Sequence, residues 1–273
     1  MLTDALKENT TLTYLNLSHE VYDGRAVEYL SQVIGVENKT ITSLNISNNA
    51  IGNQGALALA HMISQPNCPI HHLHAANGWM TTRGTDAILK ALTINTSFHT
   101  LDLSGNNIKN GKLLGAALKN QAVLEHLVLD NNCLGDNGIQ DLVPAITENH
   151  VLTQLDLGNN RIGVAGIQSL LTILPQLTQL SLQRNIFGAN GAKLLATKLK
   201  NNTSLISFSC YHYSLTHVGK QALVDSLHQS ATMMKFLNDA WADEFWCNLL
   251  GISWMFHKQK KVDPWFPKQS TPI

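Results

Sequence analysis

From Leu12 to about Ser230 the chain repeats one pattern of apolar and polar positions. It is clearest at Leu152–Gly166, LTQLDLGNNRIGVAG. The first apolar position of each copy falls at Leu12, Ile41, Ile70, Phe98, Leu124, Leu152, Leu177 and Leu205, in steps of 29, 29, 28, 26, 28, 25 and 28 residues. The fourth and sixth positions are apolar as well: Leu15/Leu17, Leu44/Ile46, Leu73/Ala75, Leu101/Leu103, Leu127/Leu129, Leu155/Leu157, Leu180/Leu182 and Phe208/Cys210. Alternation with period two predicts a short strand with one buried face in every copy. The ninth position is Asn at Asn49, Asn106, Asn132, Asn160 and Asn185. A side-chain amide donates and accepts, so stacked Asn residues are suited to the backbone groups left where each strand turns. Glu20, Gly78 and Tyr213 depart from this. Gly78 lies inside the array, and its turn is expected to be locally irregular.

The second half of each copy reads as a helix, as in Asn53–Ala60, NQGALALA. Helix-start residues recur at Asn53, Thr82, Asn110, Asp136 and Asn190. Glycines at 55, 84, 138, 166, 191 and 219 recur near the helix starts, where they allow neighbouring copies to approach closely. Met1–Asn9 reads as the helical half of a copy, capping the first strand. Strands repeat laterally every ~4.8 Å and helices need ~10 Å, so the array must bend with its strands inside.

These residues resemble the leucine-rich repeats of the ribonuclease-inhibitor type. The resemblance covers Leu12 to about Ser230. It implies an α/β solenoid, a horseshoe with parallel strands on the concave face and helices on the convex face, that binds proteins through the concave face and adjacent loops. The organisation expected is an N-terminal capping helix over 1–11, eight repeats of 25–29 residues over 12–230, and an aromatic-rich helical cap or tail over 231–273.

Composition narrows the partner. Of 273 residues, 44% are hydrophobic and 14% charged, with zero formal net charge. A neutral chain has no long-range field for nucleic acid, so a protein is the partner expected and nucleic acid is not. No cofactor is implied. The N-terminus does not read as a signal peptide, and no apolar run reaches 18 residues. Cys68, Cys133, Cys210 and Cys247 are widely spaced, the usage of a reducing compartment. A cytoplasmic monomer is expected. Triplets such as Asn38-Lys39-Thr40 and Asn202-Thr203-Ser204 are read as part of the repeat, with Asn ending a helix in the left-handed conformation, rather than as glycosylation sites.

Since the Leu positions face inward, the third, fifth and seventh positions must face the concave side. That face is polar. Its candidate partner-binding residues are Tyr14, His72, His74, Asp102, His126, Asp130, Asp156, Gln183, Arg184 at the rim, and Tyr211. His72 and His74 with a carboxylate have the donor types of a zinc site, but Val128 interrupts the set and no metal is assigned. No Ser or Cys nucleophile is aligned with a His–Asp pair, so no catalytic role is assigned either. Protonation of these histidines near pH 6 would make binding pH-sensitive. Trp79 is either an exposed anchor or packed within its loop.

Two motifs fail. Gly105–Leu113, GNNIKNGKL, has five residues between its glycines where a phosphate loop needs four, and Leu113 where Ser or Thr belongs. His19–Asp23, HEVYD, lacks the second His of a zinc protease. The tail holds Trp241, Trp246, Trp254 and Trp265, and the stretch FWCNLLGISWMF. It reads first as a cap on the last repeat. A helix that docks a partner, or lies on a membrane with help from Lys258, Lys260 and Lys261, is the alternative. Two settings compete with a plain interaction scaffold. One is a regulator of an enzyme such as a small GTPase, although such relatives typically carry acidic tails. The other is an intracellular bacterial effector with eukaryote-like repeats, acting in the host cytosol.

Overall fold

The computed structural model describes residues 2–210 and 215–228. Eight three-residue strands form one parallel sheet in sequential order. They are β1 Tyr14–Asn16, β2 Ser43–Asn45, β3 His72–His74, β4 Thr100–Asp102, β5 His126–Val128, β6 Gln154–Asp156, β7 Gln179–Ser181 and β8 Ser207–Ser209. Each strand is centred on the fourth position of its copy. The register sets Leu15, Leu44, Leu73, Leu101, Leu127, Leu155, Leu180 and Phe208 in one row. All eight are buried.

The helices lie between the strands in sequence: α1 Leu2–Glu8, α2 Gly24–Gln32, α3 Gly52–Ile63, α4 Thr82–Leu92, α5 Gly111–Lys119, α6 Gly135–Glu148, α7 Val164–Leu170, α8 Gly188–Leu199 and α9 Thr216–His228. A single apolar core runs between sheet and helices from Leu6 to Leu223. Strand on one side and helix on the other, repeated without a crossover, is an α/β leucine-rich repeat solenoid.

The ninth-position Asn residues stitch each repeat to the one before. Asn160 is fully buried. Its Nδ2 donates to the carbonyls of Leu129 and Gly158, while its Oδ1 accepts from the Leu134 N–H. Asn185 does the same one repeat on, donating to Leu157 and Leu182 and accepting from the N–H groups of Asn160 and Ile162. A second ladder runs where helix returns to strand. Asn38 donates to the carbonyls of Leu6 and Asn9, Gln121 to Leu92 and Asn95, Asn149 to Leu118 and Gln121, and Gln176 to Asn149 and Leu152. Asn38 and Asn149 are therefore not left-handed helix ends. Their φ values are −87° and −90°, extended backbone that aims the amide back at the preceding repeat.

Two further expectations change. Asn53 and Asp136 lie inside the first turns of α3 and α6, and each caps the next repeat's helix. The Asn53 Oδ1 accepts from the N–H groups of Thr81 and Gly84, and the Asp136 Oδ1 from those of Gly163 and Gly166. The Gly78 turn is not irregular either. Trp79 holds φ +55°, as Val21 (+59°) and Arg161 (+61°) do at the same position of their copies. A Cβ on Gly78 would lie 2.9 Å from the tips of the Ile51 and Met80 side chains. The close-approach reading holds at Gly55 and Gly84, where a Cβ would lie 3.2 Å from Val27 and 2.8 Å from Ala56. At Gly138 and Gly191 the contact is with their own repeat's Leu134 and Phe187.

Candidate protein-binding surface

The strand register decides which concave side chains meet. His74, Asp102, Val128, Asp156, Ser181 and Ser209 form one row, and His72, Thr100, His126, Gln154, Gln179 and Ser207 the next. Inward curvature crowds side chains on this face. Asp102 and His126 are buried there, at 6% and 7% exposure, instead of standing in solvent. The third, fifth and seventh positions thus hold a half-buried polar floor.

Its N-terminal half is rich in imidazole. The His72 and His99 rings lie 5.7 Å apart, and His99 meets His71 edge-on at 5.6 Å. His71 Nδ1 lies 3.0 Å from the Ser97 carbonyl. His71 and His99 occupy the second position of their copies, just outside the alternation used to pick the face, so pattern reading passes over them. His74 Nδ1 stands 4.0 Å from Asp102 Oδ2. Burial holds the His74 imidazole below its usual range, so at neutral pH this contact is between a neutral ring and a carboxylate. Burial also lowers His72, aided by the nearby His99, His74 and His71, and brings His126 down to about 4. The His126 ring therefore stays neutral at pH 6, and burial shifts His72 and His74 in the same direction.

The C-terminal half is acidic, then amide-rich. The Asp156 Oδ1 accepts from the Gly158 N–H at 2.8 Å, and Asp102 accepts from Ser104 in the same way at 2.9 Å. Gly158 leaves room for both acidic side chains. A Cβ on it would lie 2.3 Å from Asp130 Oδ1 and 3.2 Å from Asp156 Oδ1, so two carboxylates share the space above it. Burial raises the Asp156 carboxyl to about 7, with Asp130 adding to the shift. Asp130 is raised by burial against the pull of Arg184. Gln183 donates to Ser209 Oγ at 2.8 Å.

His72, His74, Asp102, His126, Asp130 and Asp156 thus fall in one patch across β3–β6. Tyr14, 42% exposed, stands apart on edge strand β1. Arg184 is exposed at the rim with φ +55°. Tyr211 and the tail after Ser230 lie outside the described residues. Among the described residues no three His, Cys, Asp or Glu are arranged to hold a metal ion. Val128, between Asp102 and Asp156 in its row, separates the donors.

The rim is built from left-handed residues at the eighth position: His19, Asn48, Asn77, Gly105, Asn131, Asn159 and Arg184. Amides link along it, Asn77 Nδ2 donating to Asn48 Oδ1 at 2.9 Å and Asn159 Nδ2 to Asn131 Oδ1 at 2.7 Å. Trp79 does not pack into its loop. It stands 78% exposed.

The sequence matches the family described as Leucine Rich repeat over residues 8–19, 37–60, 95–111, 121–143 and 148–171. No curated protein matches it. Among solved structures, the leucine-rich repeat-containing protein LegL7 from Legionella pneumophila superposes with a TM-score of 0.56. It is 20% identical, and the match covers 84% of this chain and 76% of that one. The tropomodulin C-terminal domain of Caenorhabditis elegans gives a TM-score of 0.39 at 18% identity, covering 64% of this chain and 89% of that one. Matched repeats, eight in-register strands and the two amide ladders agree: the chain is a leucine-rich repeat protein.

Proposed function

We propose that this chain is a non-catalytic interaction scaffold of the ribonuclease-inhibitor type that binds a partner protein through its concave face and the adjacent loops. The carrying observation is the split between the two faces of the sheet. The Leu row is committed to the core, whereas the third, fifth and seventh positions hold imidazole, carboxylate and amide groups on the opposite face of the sheet, outside the apolar core. A half-buried polar face of this kind favours hydrogen-bonded recognition over an apolar ligand. No helix among the described residues is long and apolar enough to cross a membrane. A cytosolic setting, including the cytosol of a host cell, belongs to the same proposal. The fold likeness to a Legionella pneumophila repeat protein is compatible with it.

Affinity capture with the tagged chain tests the reading, with a parallel arm carrying His74→Ala, Asp102→Asn and Gln154→Ala. A partner protein retained by the parent and lost by the triple variant, with both still folded, is the expected result. Equal capture by both moves the interface off the concave face. Acceleration of GTP hydrolysis across a panel of small GTPases would instead favour the regulator reading.

A further inference from the structure

Several side chains on the ridge of loops after the strands are placed against local backbone or dipole preference, and they fall along one line. Trp79 and Arg161 hold left-handed φ values of +55° and +61°, a region that bulky side chains disfavour. Arg83 and Lys112 are the second residues of α4 and α5. A helix start favours acidic residues there, yet neither helix has one in its first turn. Lys109 and Arg184 complete the set, and all six are exposed. Among the described residues none of these five cations forms an ion pair within 4 Å. Arg184 acts on Asp130 only from a distance. Acidic groups in the same stretch are withdrawn: Asp136 is held by the Gly163 and Gly166 N–H groups, and Asp86 is half-buried. Ile186, 57% exposed, ends the line in the seventh repeat as Trp79 opens it in the third. Four strand spacings separate them, about 20 Å.

We infer that the ridge from Trp79 to Ile186 docks an acidic segment of the partner protein that carries an apolar side chain near each end. The inference rests on the reading that the chain binds a protein, and adds where the contact lies and its chemistry. Val21 holds the same left-handed φ outside the ridge, so that backbone belongs to the repeat, and what sets the ridge apart is its run of exposed cations between exposed apolar side chains. Cations flanked by apolar anchors complement a segment with the opposite charges between matching anchors. An extended segment covers the distance in about six residues, a helical one in about thirteen. A phosphate backbone fits less well. The carboxylates of Asp102, Asp130 and Asp156 lie in the concave face beside the ridge, and the chain has zero formal net charge.

The test uses the full chain and a fluorescent peptide of about twelve residues, Leu at both ends and Glu between. Its controls are the same peptide with Lys for Glu, and a single-stranded RNA of similar length. Anisotropy titrations at about 50 mM and about 300 mM salt read the affinities. The Glu peptide should bind, and more weakly at high salt. Lys109→Glu with Arg161→Glu should cost about tenfold or more, Trp79→Ala a similar factor, and Lys90→Glu with Lys198→Glu, exposed in the last turns of α4 and α8, nothing. The substituted ridge residues are exposed, and thermal melts confirm folding. Equal binding of the Lys peptide, tighter binding of RNA, or indifference to the charge reversal overturns the inference. So does failure of the Glu peptide to bind. If capture of the partner is still blocked by the concave-face variants in that case, the broader proposal survives and only the ridge assignment falls.

Discussion

Asn160 shows how much of two repeats one side chain can hold. It is fully buried and makes three hydrogen bonds, two of them to the repeat before. Asn160→Ala would leave the buried Leu134 N–H without its acceptor and take one of two donors from the Leu129 and Gly158 carbonyls, which keep Asn132 Nδ2 and the Asn131 N–H, at a cost of about 2 kcal/mol. Urea denaturation should show it as a lowered midpoint, and a change within error would mean that water replaces the amide. Val21 works in the other direction. Its side chain is 84% exposed at φ +59°, where a β-branched residue is strained. Val21→Asn should therefore raise stability by about 1 kcal/mol, seen as a higher melting temperature. The ninth-position ladder could be read from sequence because it uses one residue type at one position. The helix-end ladder could not, because Gln121 and Gln176 share it with Asn38 and Asn149, and its spacing shifts with helix length. The inter-repeat caps Asn53 and Asp136 were equally hidden, since a cap on the next helix has the same spelling as a cap on its own.

At the scale of the sheet, alternation alone fixed strand positions and sorted core from concave residues. It did not reveal that curvature would bury the concave side chains, because curvature comes from the different widths of strand and helix and not from any single residue. The consequence is electrostatic. Unfolded, Asp156 loses its proton near 3.8, and folded it keeps the proton up to about 7. The folded state binds more protons in that window, so this group makes stability fall as pH rises from about 4 to about 7. His126 acts oppositely: its folded pKa of about 4 lies below the ordinary 6.5, so stability is lost as pH falls through that range. Asp156→Asn removes the first effect and leaves the second. Asn can still accept from the Gly158 N–H. The variant should match the parent near about pH 4 and be more stable near about pH 8, as thermal melts across that range would show. A difference that does not change with pH would mean that the carboxyl ionises normally in the fold.

Across the whole molecule, stability is passed from neighbour to neighbour, and the caps between repeats set where it can break. The helix α7 has only seven residues and no cap of its own, since Gly163 has no side chain. Its first-turn N–H groups are satisfied by Asp136 from the fifth repeat, at 2.6 and 2.9 Å. That carboxylate also sits at the start of α7, where the helix dipole favours negative charge. Asp136→Ala should therefore cost about 1–2 kcal/mol, and the loss falls on the joint between repeats five and six. Weakening a joint in a linear array lowers cooperativity as well as stability, so the urea transition should broaden and its slope fall. Hydrogen exchange should quicken in α7 and its neighbours before it does in β2–β4. Asp23→Ala provides the contrast. Asp23 caps its own helix, α2, through the Ala26 N–H at 2.9 Å and stands near the end of the array. Its loss should lower stability by a similar amount without broadening the transition. Two variants of equal cost, only one of which splits the array, would separate what holds a repeat together from what holds the repeats to each other.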